Sequence, residues 1–90
     1  YHEFIPEILS MLREIMIEIG DTSLKPTVDY LEAKYYLYGK GNEEKALQYY
    51  DKAIMGAEFL NDNLFKNQVL EEKNLDFPNI WFVHNRYYFQ

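Results

Sequence analysis

Ninety residues make one small domain, which buries only roughly two-thirds of its unfolded surface and so relies on dense packing or a neighbour. A 48% hydrophobic content with nine Tyr, six Phe and one Trp excludes disorder, and the lack of Cys excludes disulfides and thiolate chemistry and favours a reducing, cytoplasmic compartment. A net charge of −6, with Arg13 and Arg86 the only arginines, argues against a phosphate-binding surface, so no nucleic acid is expected to bind this segment.

Residues 4–19 read as one amphipathic helix. Ile5, Ile8, Leu12, Ile15 and Ile19 recur at steps of three and four, which places them on one face; Leu9 and Met16 widen the stripe. Glu3, Glu7, Arg13, Glu14 and Glu18 take the other side, and Glu14 and Glu18 interrupt any membrane span. Pro6 suits the first turn, and Gly20 is a natural left-handed terminator before Asp21-Thr22-Ser23. No basic-then-apolar leader opens the chain, and its start at Tyr1 reads as that of a piece of a longer protein.

A second helix is predicted from Pro26-Thr27 to about Tyr38, ended by Gly39-Lys40-Gly41-Asn42. A third covers residues 43–60, with Asn42 as N-cap and Glu43 and Glu44 at the positive end of its dipole. Its inner side carries Ala46, Leu47, Tyr50, Ala53, Ile54, Ala57 and Leu60. A fourth covers residues 62–73, with Leu64, Phe65, Val69 and Leu70 apolar, and residues 74–79 read as loop. The aromatics of residues 80–89 would suit a strand. Ile80, Val83 and Tyr87 also fit helical spacing, and a lone strand would lack a partner, so a fifth helix is predicted. The expected fold is all-α, four to five helices in antiparallel hairpins.

Residues 33–57, AKYYLYGKGNEEKALQYYDKAIMGA, resemble a tetratricopeptide repeat, in which two antiparallel helices pair through small residues at fixed positions. Tyr30 supplies the large aromatic of the first helix, Gly41-Asn42 the turn, and Ala46, Tyr50 and Ala53 the small–aromatic–small series of the second. Ala46 and Ala53 lie two turns apart and face one neighbour, with Tyr50 between them. Two departures stand out: Lys34 occupies the usual glycine position, with Ala33 one place earlier, and the proline that normally ends the second helix is absent. Sel1-like repeats share the YxYGKG and KAxxYYxKA wording but carry more residues before their second helix than Asn42-Glu43-Glu44 provides. The resemblance implies a right-handed superhelical stack with a clear repeat at residues 27–60, a degenerate second at 61–90 retaining Leu64, His84 and Tyr87, and a leading helix at 4–19. ALQYYDKAIMGAEFLNDNLFKNQVLEE also looks like the repeat domains of peptide-sensing regulators of Gram-positive bacteria, which bind short signalling peptides in the groove of stacked repeats. The DNA-binding helices of such regulators are not visible in this sequence.

The repeat alignment puts Tyr30, Ala33 and Leu37 on the packing face of the second helix. Val28, Leu31, Tyr35 and Tyr38 then fall on the groove side, with Phe65 and Val69 of the fourth helix. Leu31, Tyr35, Tyr38, Phe65 and Val69 are therefore the candidate contacts to a protein or short peptide, tyrosine giving area and a polar tip at low entropy cost. Two competitors share the same strip: self-association as a homodimer or packing on a longer chain, and burial under the first helix. Catalysis is not expected. His2 and His84 begin no metal-binding motif, Glu43-Glu44 and Glu71-Glu72 are solvated helix faces, Ser10 and Ser23 lack a nucleophile elbow, and Gly39-Lys40-Gly41 is too short for a phosphate loop. No metal or cofactor is expected.

Overall fold

The computed structural model describes residues 2–78, and their regular elements are all helical. After a 3-10 turn at His2–Phe4, α1 spans Ile5–Ile19, α2 Lys25–Lys34, α3 Glu43–Phe59 and α4 Asn63–Asp76; a π-helical turn, Tyr35–Gly39, prolongs α2. The result is the expected all-α, tetratricopeptide-like stack of hairpins. The predicted fifth helix, with His84 and Tyr87, lies outside the described residues.

Local chemistry sets the ends. Gly20 takes a left-handed φ of 70° and donates its N–H to Met16 O at 2.9 Å, closing α1 where a side chain would be strained. Asn42 and Asp62 cap α3 and α4, their side-chain oxygens each accepting a backbone N–H at 3.1 Å, from Lys45 and Phe65. In place of the missing proline, Asn61 adopts φ 57° and the Asp62 N–H reaches back to Ala57 O at 2.9 Å. α4 runs to Asp76, so residues 74–76, expected as loop, are helical.

The main core lies where α2, α3 and α4 meet. Ala33, Tyr50, Ala53 and Val69 are fully buried there, with Tyr30, Tyr49, Ile54, Phe65 and Phe77 packed around them. Ala46 and Ala57 are also fully buried, so α3 presents its small residues inward at the repeat spacing. Ala33 takes the crossing that Lys34 would have blocked. Near the other end of α3, a Cβ on Gly56 would lie 2.9 Å from Pro26 Cγ, so this glycine sets how closely α2 approaches.

A second, smaller core holds α1 on α2. Ile5, Leu9 and Val28 are buried, with Leu12, Met16, Leu31 and Tyr35 against them. An ion pair from Arg13 to the buried Glu32 adds a polar fastening. The buried stripe of α1 is therefore Ile5, Leu9, Leu12 and Met16, rotated from the stripe read in the sequence. Ile8 and Ile19, expected inward, are 42% and 67% exposed, because α1 has α2 on one side only. Leu60, expected on the inner side of α3, is exposed because α3 ends before it.

Candidate functional site

α2 and α4 both pack on α3, and α1 lies on α2, which leaves a groove bounded by all three. It encloses about 620 Å³. Phe4 enters from the 3-10 turn, Ile8 from the start of α1, Tyr30, Leu31 and Lys34 from α2, Tyr38 from the π turn and Glu72 from α4. Phe4 and Tyr38 are more than half exposed, so the apolar surface is accessible.

The polar part of the groove is held in one network. Lys34 Nζ donates to Glu72 Oε2 at 2.8 Å and to Asp76 Oδ2 at 2.9 Å. The hydroxyls of Tyr38 and Tyr50 donate to the two oxygens of Asp76. Lys34 also lies 5.5 Å from the Tyr38 ring centroid and 5.7 Å from that of Tyr30. Burial works against the Lys34 charge, but the hydrogen bonds to Asp76 and Glu72 outweigh it and raise its pKa. Burial likewise opposes the Asp76 charge, and the hydrogen bonds from Lys34, Tyr38 and Tyr50 overcome it, holding the carboxyl below its ordinary value. Burial, then the bond to Asp76, pushes the Tyr50 hydroxyl up. Both ionised groups are thus fixed in charge near neutrality. Groups held in one charge state can orient hydrogen-bonding partners near neutral pH.

The five sequence candidates separate. Leu31 and Tyr38 line the groove. Phe65 lines a neighbouring recess with Gln68 and Glu71, its ring 6.1 Å from that of Tyr30 and edge-on to it. Val69 borders the same recess but is fully buried among Ala33, Tyr50 and Ala53, so its groove-side placement is corrected: the register of α4 turns it into the core. Tyr35 is corrected too. It packs beneath α1 against the Ile5–Leu9–Val28 cluster and does not line the groove. The π turn begins at Tyr35 and puts an extra residue into the turn, so Tyr35 and Tyr38 no longer share a stripe.

Sequence reasoning missed Phe4, Ile5, Ile8, Lys34 and Glu72 as groove residues, and Tyr30, expected on the packing face, lines the groove as well. A signal was present for two of them: Lys34 sits where the repeat wants glycine, and Glu72 and Asp76 are spaced four apart on the facing helix, the spacing of a shared face. Among the described residues no group of His, Asp or Glu is arranged to hold a metal ion, and no helix is long and apolar enough to cross a membrane.

A family model described as ComR tetratricopeptide matches residues 1–73. Comparisons with curated proteins and with solved structures found no match.

Proposed function

The chain belongs to the ComR tetratricopeptide family, and from that premise we propose that it is the sensor part of a larger cytoplasmic regulator, binding a short peptide in the groove between α1, α2 and α4. One observation carries the reading. The groove combines accessible apolar walls, Phe4, Ile8 and Leu31, with polar groups already locked in place, Lys34, Glu72 and Tyr38. Preorganised polar groups beside apolar area give a peptide both affinity and register without an ordering cost at binding. The site has no catalytic part in this reading.

The test is titration of the chain with short apolar peptides by calorimetry. Phe4→Ala and Tyr38→Ala should each weaken the best binder about tenfold or more, as loss of an aromatic contact does at interfaces. Met55→Ala, exposed and outside the groove, should not. Unchanged affinity in both groove variants would remove the proposal. A second reading, packing on its own copy or on the rest of a longer chain, is favoured by the apolar residues that α1 leaves in water, Met11, Ile17 and Ile19, which are 61%, 83% and 67% exposed.

A further inference from the structure

The lysines of this acidic chain are not distributed evenly among partners. Among the described residues, Lys25, Lys34, Lys66 and Lys73 each form an ion pair with a carboxylate, as Arg13 does. Lys40, Lys45 and Lys52 form none. Each instead lies over a tyrosine ring: Lys40 over Tyr35 at 5.7 Å, Lys45 over Tyr36 at 4.9 Å and Lys52 over Tyr49 at 4.7 Å. The three rings are contiguous. Tyr36 and Tyr49 stack, 5.4 Å apart and 6° from parallel, and Tyr35 meets Tyr36 edge-on at 5.6 Å. The three unpaired lysines thus form one strip where the π turn meets α3, over a half-buried aromatic floor, away from the groove described above.

We propose that this strip docks an acidic segment of a partner protein, its carboxylates on the lysines and its backbone along the tyrosine stack. The charge pattern carries the choice of occupant. A positive strip on a chain of net charge −6 attracts an anion locally while the surrounding surface repels a long polyanion. Three unpaired cations are too few to hold an extended nucleic acid at physiological salt, where affinity grows with the number of phosphates neutralised. A short peptide can meet the strip alone. Lys45 and Lys52 are seven residues apart on α3, about 10 Å along the axis. Carboxylates three residues apart in a polyproline II segment share one face and span a similar distance, about 9 Å. The tyrosines add apolar area beneath the ammonium groups and hold the lysine stems in place.

The proposal is separate from the peptide groove and is tested separately. A fluorescein-labelled, proline-rich nonapeptide with Glu at every third position, which favours the polyproline II form, would be titrated into the 90-residue chain and followed by anisotropy, beside the same peptide with Lys replacing Glu. Saturable binding of the Glu peptide alone is expected. It should weaken about tenfold or more in Lys45→Glu/Lys52→Glu and recover in Lys45→Arg/Lys52→Arg, since reversing charges at a complementary interface removes attraction and adds repulsion. Tyr38→Ala should bind it as the parent chain does. The lysines are exposed, so circular dichroism should show the charge-reversed protein folded. Glu-peptide binding insensitive to the charge reversal would overturn the proposal. Equal or tighter binding of a labelled dT9 oligonucleotide would overturn it in favour of a nucleic-acid surface. A dimer in the parent chain that the charge reversal dissociates would overturn it in favour of self-association.

Discussion

Three donors meet at Asp76 beside the groove: a lysine ammonium and two tyrosine hydroxyls converge on its two oxygens, tying the last turn of α4 to α2 and α3. Replacing it with Asn would keep the shape but remove the charge that Lys34 pairs with. The cost should be about 2 kcal/mol, in the range of a charge-assisted hydrogen bond lost at a largely buried site, and thermal unfolding followed by circular dichroism would measure it. The network also sets a pH profile. The folded Asp76 pKa is depressed, so its contribution is present above the unfolded value of about 4 and is lost as pH falls through the folded one. Lys34, Tyr38 and Tyr50 are raised, so their contributions are present below about pH 10 and lost as pH rises beyond it. Melting temperature should therefore be flat between these limits and fall on both sides, and Asp76→Asn should flatten the acid limb. An acid limb unchanged by Asp76→Asn would show that other carboxylates govern it.

At the scale of elements, two backbone details decide how helices meet. The π turn after α2 carries the Lys40 N–H to Tyr35 O at 3.1 Å and shifts the phase of everything beyond it. Tyr38 thereby reaches Asp76 while Tyr35 stays beneath α1. Gly56 does the opposite job of subtracting bulk, letting the Pro26 ring lie against α3. Gly56→Ala should lower the melting temperature even though alanine favours a helix by about 1 kcal/mol over glycine. The added methyl would clash with a stiff ring, and overpacking typically costs about 1–3 kcal/mol. A higher melting temperature would show that α2 can move aside without loss.

Across the whole molecule, stability is unequal. α3 has neighbours on two sides and buries Ala46, Tyr50, Ala53 and Ala57 completely. α1 is held by one small cluster and the Arg13–Glu32 pair, with Met11, Ile17 and Ile19 left in water. Hydrogen exchange should find the amides of α1 opening at least about tenfold faster than those of α3, since local opening follows the contacts each segment buries. Equal protection would mean that α1 unfolds only with the rest. Because Phe4 and Ile8 form one wall of the groove, the least secured helix is also the one a bound peptide would contact.

Helix positions, caps and the central hairpin were legible in the sequence because each depends on neighbours in the chain. Asn42 and Asp62 cap by accepting N–H groups three residues on, Gly20 ends α1 through its own φ, and Ala46, Tyr50 and Ala53 follow from the helical period. The candidate site was half legible. Leu31 could be placed by counting along α2, and the repeat pattern supplied the idea of a groove, whereas Tyr38 reaches it through the π turn. Tyr35 and Val69 could not be so placed, because a π turn and the seating of α4 on α3 decide which way they point. Phe4 and Ile8 join the groove only because α1 folds back on α2, and Lys34 finds Glu72 and Asp76 some forty residues away across a helix interface. Periodicity fixes which residues share a face; only packing between helices decides what that face meets.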